Sequence, residues 1–153
     1  MQFKYQVVDV FTKTRFGGNP LAVVLDADEL TGTQMQVIAK EFNFSETSFV
    51  CKPKDVGNTA HVRIFTPNSE MDFAGHPNVG TAYVLAHNAG DKPTKLRFEE
   101  RVGIVPITVE YDDFDNVQTT AIMSPQSLKL GNEFDPAKTA RALSIKQSDI
   151  QTD

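Results

Sequence analysis

A chain of 153 residues with 40% hydrophobic and 23% charged residues has enough apolar side chains for one ordinary core, and nothing in its composition points to disorder. Its net charge of −5, with no cluster of lysines or arginines, excludes nucleic acid and anionic membrane as partners and leaves a small molecule. A single cysteine, Cys51, and three histidines in unrelated contexts give neither a disulfide nor metal-ligand spacing, and no apolar run is long enough to span a bilayer; with no signal-peptide layout at the N-terminus, the expectation is a cytoplasmic chain without metal.

In chain order, residues 3–10 alternate as a strand, residues 17–20 (Gly-Gly-Asn-Pro) supply a turn, and residues 21–25 form a short apolar strand. Residues 33–42 place Met35, Ile38, Ala39 and Phe42 at i, i+3, i+4 and i+7, the stripe of an amphipathic helix. Strands follow at 47–51 and 61–66, separated by a polar turn at 53–58. A second helix is expected over 77–87, with Val79, Ala82, Tyr83 and Ala86 on one face and Gly90 as its stop. Strands at 95–99, 104–111 and 117–123 come next, with Val102-Gly103 turning a hairpin and Pro106 expected at an edge or a bulge. The order is mixed and is no run of βαβ repeats. Composition changes after Met123, so a domain boundary is expected near residue 128. Residues 129–153 then read as a linker and the start of a truncated second domain, in which Asp135-Pro136 opens a helix carrying Ala137, Ala140 and Leu143.

Two segments carry chemistry. The stretch from Phe65 to Gly80 runs a strand through a turn into a helix headed by His76 and Pro77. Proline suits the first helical position, which makes His76 the expected N-cap and leaves the amides of Asn78, Val79 and Gly80 free to hold a carboxylate, helped by the helix dipole and the imidazole. The plainer alternative is a helix that happens to be capped by histidine. The second stretch, Asn43 to Val50, sets Glu46 among aromatic and hydroxyl residues. By position alone such a glutamate is a solvated charge or a cap. If Phe44 and Phe49 desolvate it, both of its protonation states become accessible and it suits general acid/base work.

These two segments, together with Phe16-Gly17-Gly18-Asn19-Pro20-Leu21-Ala22-Val23-Val24, resemble the PhzF family in order and spacing over residues 1–128. That family resembles diaminopimelate epimerase in fold and is typified by the isomerase of phenazine biosynthesis. The resemblance implies an α+β domain whose curved mixed or antiparallel sheet wraps a central helix. It implies a cofactor-independent isomerase in which Glu46 moves a proton on a small cyclic or unsaturated carboxylic acid, with His76, Gly75 and Ser45 binding the substrate. For Ser45 a local hydrogen bond to the backbone is the competing reading. Asn19 is read as tying a turn, Arg63 as structural, and Glu70 and Asp72 as solvent-facing or partners of Arg63. Amino-acid epimerases of this kind use paired cysteines, the first of which would stand at Ala74, so a two-thiol racemase is the less favoured activity. A complete member has two similar halves around a cleft and is commonly dimeric. The alternatives are therefore a non-catalytic half-domain that binds a small acid, or a homodimer in which two such chains imitate the two halves.

Overall fold

The computed structural model describes residues 2–127 and 129–151. The chain opens with strands β1 (Tyr5–Val10) and β2 (Asn19–Val24), paired antiparallel with Val8 opposite Leu21. The connection between them needs glycine at position 18, where a Cβ would lie 2.2 Å from the Val10 carbonyl oxygen. Helix α1 (Gly32–Phe42) starts on a capping box: Thr31 Oγ accepts the Gln34 amide, and the Gln34 side chain accepts the Thr31 amide in return. It ends at Asn43, whose left-handed φ of 55° lets the chain leave the helix and enter β3 (Glu46–Cys51). β4 (Ala60–Phe65), the two-residue β5 (Glu70–Met71) and helix α2 (Gly75–Asn88) follow. Strands β6 (Lys95–Glu100), β7 (Gly103–Tyr111) and β8 (Val117–Ile122) complete the sheet, and helix α3 (Pro136–Leu143) lies beyond it.

The sheet order is β1-β2-β3-β4-β6-β7-β8, with β5 paired to β4 off that path. β2–β3 and β4–β6 are parallel and every other neighbouring pair is antiparallel. Strands at both ends of this order, β1 and β8, pack against α2, which requires the sheet to curl around the helix. Fold class is thus the α+β arrangement expected, a curved mixed sheet around a central helix.

Two cores result from the two faces of the sheet. Inside the curl, Val10, Leu21, Val62, Ile64, Phe98, Val105 and Ile107 pack against α2. Outside it, Phe49, Phe65, Val24, Met35 and Ala39 form a smaller cluster under α1, with Phe49 and Phe65 edge to face at 5.4 Å. Each fully buried Leu, Ile, Val or Phe here contributes about 1.5–3 kcal/mol.

Helix α2 does not have the single apolar stripe expected from the sequence. It is enclosed on most sides, so Asn78, Gly80, Thr81, Ala82, Val84 and Ala86 are all buried, while Tyr83 is 39% exposed. Tyr83 lines a groove of about 740 Å³ between β1 and β8, the two ends of the sheet order. Small residues permit the enclosure: a Cβ on Gly80 would lie 2.6 Å from Leu21 Cδ2 and 2.7 Å from Val10 Cγ2.

Pro106 is the other departure. It sits within β7, between β6 and β8, and the bulge is at Glu110 and Tyr111 instead. Its carbonyl accepts the Met123 amide at 3.0 Å, so its nitrogen faces the point where β8 runs out and no ladder donor is required. Among the described residues of 124–135 there is no helix or strand. Asp135 Oδ1 then caps α3 by accepting the amides of Ala137 and Lys138. Leu128, where the sequence reading divides the chain, lies outside the described residues. None of the described helices is long and apolar enough to cross a membrane.

Candidate active site

Period-2 alternation in β3 decides which side chains meet α2. Val50 belongs to the inner core, so Ser48 and Glu46 point the same way, whereas Thr47, Phe49 and Cys51 point outward. Glu46 is the first residue of the strand rather than a residue before it, and its carboxylate reaches the beginning of α2. There Glu46 Oε2 lies 3.3 Å from His76 Nδ1, and the two side chains are only 17% and 8% exposed. The aromatic walls expected around Glu46 are elsewhere: Phe49 is on the opposite face, and Phe44 stacks on Phe42 with ring centroids 6.0 Å apart. A histidine and a helix end, not aromatic rings, form the wall beside this carboxylate.

Burial pushes the His76 imidazole below its ordinary value, against the opposing pull of the Glu46 charge and of the Pro20 carbonyl. The Pro20 oxygen favours a ring proton without reaching hydrogen-bond geometry, and Nε2 is buried with no hydrogen-bond partner among the described residues. At neutral pH the ring is therefore predominantly uncharged, a donor through one nitrogen and an acceptor through the other.

The helix begins two residues earlier than its proline suggests. Ala74 is the N-cap, with no side-chain cap, and Gly75 is the first helical residue. His76 is not the cap, and Pro77 occupies the third helical position, where a missing N–H is equally harmless. The amides left without intrahelical acceptors are consequently those of Ala74, Gly75 and His76, not those of Asn78, Val79 and Gly80. A Cβ built on Gly75 meets nothing within 4 Å, so open space adjoins its amide. The arrangement is a helix dipole end whose first N–H groups have no intrahelical acceptor, next to an imidazole and a carboxylate.

Ser45 sits at the entrance to β3 and donates from Oγ to Asn19 Oδ1 at 3.0 Å. Asn19 thereby ties the start of β2 to the start of β3, next to the register pair Leu21 and Glu46. Glu70 is removed from the site by a two-pronged ion pair with Arg63, at 2.7 and 2.9 Å, and Arg63 also lies over the Phe65 ring. Asp72 pairs with Arg101 at 3.1 Å. Cys51 faces away, and burial, reinforced by the Asp28 charge, raises its thiol to about 11, so it is no nucleophile. Ala74 stands at the N-cap with no thiol.

Sequence reasoning missed Asn78 and Glu100. Asn78 is fully buried, and its Nδ2 donates to the Ala74 carbonyl at 3.0 Å. Glu100 ends β6 with both carboxyl oxygens buried and without hydrogen-bond partners among the described residues. Extending the alternation Leu96, Phe98, Glu100 by one residue would have placed it inside.

Comparison with known proteins bears on the family of the chain. The family described as phenazine biosynthesis-like protein matches residues 8–152. An uncharacterized isomerase of Mesorhizobium japonicum is 43% identical over 95% of this chain, and a trans-2,3-dihydro-3-hydroxyanthranilate isomerase of Pseudomonas aeruginosa is 40% identical over 95%. The matched regions are 48% and 50% of those proteins, so the chain spans about half the length of these curated relatives. Among solved structures, a PhzF-family phenazine biosynthesis protein of Bacillus anthracis is 36% identical, with a TM-score of 0.66 over 76% of this chain and 39% of that one. A protein described as a predicted epimerase from Pseudomonas aeruginosa covers 97% of this chain and 52% of its own at 27% identity and a TM-score of 0.81. With a family model matching residues 8–152 and relatives 40–43% identical over 95% of its length, the chain belongs to the phenazine biosynthesis-like (PhzF) protein family.

Proposed function

We propose that this chain supplies one wall of an isomerase site that moves a proton on a small unsaturated carboxylic acid, with Glu46 as the general acid/base. The carrying observation is the contact of Glu46 with His76 at the uncapped start of α2. The amides of Gly75 and His76 hold the substrate carboxylate, and the His76 ring orients it. Ser45, held by Asn19, lines the entrance. Glu46 takes a proton from an activated carbon, the electron pair moves into the conjugated system, and the same carboxyl returns the proton at another carbon, so no atoms are gained or lost. The related isomerase of Pseudomonas aeruginosa suggests the substrate class, a hydroxylated dihydroanthranilate.

In this reading residues 1–128 form the domain, residues 129–153 lead into a second unit, and a second half-site closes the cleft. The half-length match to the relatives supports that division. The deciding experiment follows solvent deuterium entering trans-2,3-dihydro-3-hydroxyanthranilate in the presence of the protein from its native source. Glu46→Gln keeps the shape and removes the base, and should lower the rate by about 100-fold or more. Undiminished incorporation by that variant would end the proposal.

A further inference from the structure

Between α2 and the inner face of the sheet lies a set of polar atoms with no hydrogen-bond partners among the described residues: Ser48 Oγ, Asn78 Oδ1, Thr81 Oγ1 and both carboxyl oxygens of Glu100. Ser48, Asn78 and Thr81 are fully buried. Buried polar groups are almost always paired, because an unpaired one costs about 1–3 kcal/mol, so several together call for a common partner.

The fold brings them to one place. Ser48 shares the inner face of β3 with Glu46, and Thr81 follows Asn78 by three residues, on the same side of α2. β3 and α2 run in the same direction, since Val50 and Cys51 at one end lie beside Leu85 and Ala89 at the other. Ser48 is about 6.6 Å along β3 from Glu46. Thr81 is about 7.5 Å along α2 from His76. The two hydroxyls therefore stand at one depth below the Glu46 and His76 contact. One turn above Thr81, Asn78 faces Glu100.

We propose that Glu100 is a proton-holding group of the α2 site, joined to the Glu46–His76 pair through Asn78 and internal water held between Ser48 and Thr81. The hydroxyls, the Asn78 carbonyl and the Glu100 carboxyl supply the two to four polar partners that a buried water needs. Glu100 has no ion-pair partner among the described residues. The inner face of β4 offers it Ala60, Val62 and Ile64, β7 offers Gly103 and Val105, and α2 offers the Asn78 amide. Glu99 is held by the amides of Lys54 and Asp55, and Arg101 is paired with Glu70 and Asp72. Burial raises the Glu100 carboxyl to about 7, with only Asn78 pulling it down. Its ionisation sets a negative charge near the positive end of the α2 dipole and changes the field at the Gly75 and His76 amides.

This inference rests on the proposed role of the Glu46–His76 pair as the working site, and nuclear magnetic resonance on the 153-residue chain tests the two separately. The expected result is a Glu100 side-chain carboxyl signal with a midpoint near 7 and a matching inflection in the Gly75 and His76 amides. Cross-peaks from bound water to Ser48 and Thr81 should accompany it. Glu100→Gln keeps the shape, removes a buried charge and should retain the fold while abolishing that inflection. Glu46→Gln should leave the inflection in place and alter the His76 ring signals. A Glu100 midpoint near the ordinary 4.5, amides indifferent to Glu100→Gln, or no water beside Thr81 would each overturn the inference. If instead Glu46→Gln leaves the His76 ring unchanged while Glu100→Gln removes the inflection, the role of Glu46 falls and the role of Glu100 stands.

Discussion

His76 and Glu99 both bind a proton more readily when the chain unfolds, each for its own physical reason and in its own pH range. Burial depresses the His76 imidazole, so the unfolded chain binds a proton that the native site resists. That contribution is complete above the unfolded value of 6.5 and is lost as pH falls through the folded value; His61 is shifted in the same direction, also by burial first. Thermal midpoints should fall as pH drops below 6.5, and His76→Gln should remove part of the slope. Glu99 is lowered too, at a more acid pH and by hydrogen bonding where His76 is lowered by burial. Hydrogen bonds from Asn58 and from the Asp55 and Lys54 amides hold its carboxyl at about 2 against an ordinary 4.5. Its stabilisation is present above 4.5 and disappears as pH falls toward 2, so Glu99→Gln should flatten the acid limb of a denaturation curve; an unchanged limb would place acid sensitivity elsewhere.

At the level of elements, local chemistry and packing separate cleanly. α1 is specified by its own sequence: an apolar stripe, a Thr31–Gln34 box in front and Asn43 behind. Thr31→Ala should cost about 1 kcal/mol in chemical denaturation. α2 is specified by its surroundings, and Gly80→Ala forces a methyl into Leu21 and Val10, which should cost about 1–3 kcal/mol. A substitution there with no loss of stability would mean that the curl relaxes easily. The same contrast explains what could be read in advance. The α1 pattern was legible because a helix on the outer face needs one apolar side. The start of α2 was misplaced because proline is tolerated throughout a first helical turn, and its enclosure was hidden because a helix walled in by a sheet has no single stripe. Phe49 was assigned to the wrong side of Glu46 because strand residues an odd number of positions apart point to opposite faces, however close they are in sequence.

Across the whole molecule, the sheet and α2 form one unit, and α3 packs on the short turn Gln147–Asp149 that follows it. Ending the chain after Ser127 should therefore leave the unfolding midpoint of the sheet unchanged within error; a clear drop would show that the last residues belong to the same cooperative unit. The amino-acid sequence by itself determined the order of the longer strands and helices and the candidacy of Glu46, Ser45, Gly75 and His76, since these depend on periodicity, turn chemistry and motif spacing. Only the tertiary structure decided that Glu46 faces His76 and that Glu70 is taken by Arg63. It also decided that Glu100 is buried beside Asn78 and that Pro106 occupies an inner strand. Each of these depends on which strand faces which side of the curl, and that is fixed by long-range register and burial.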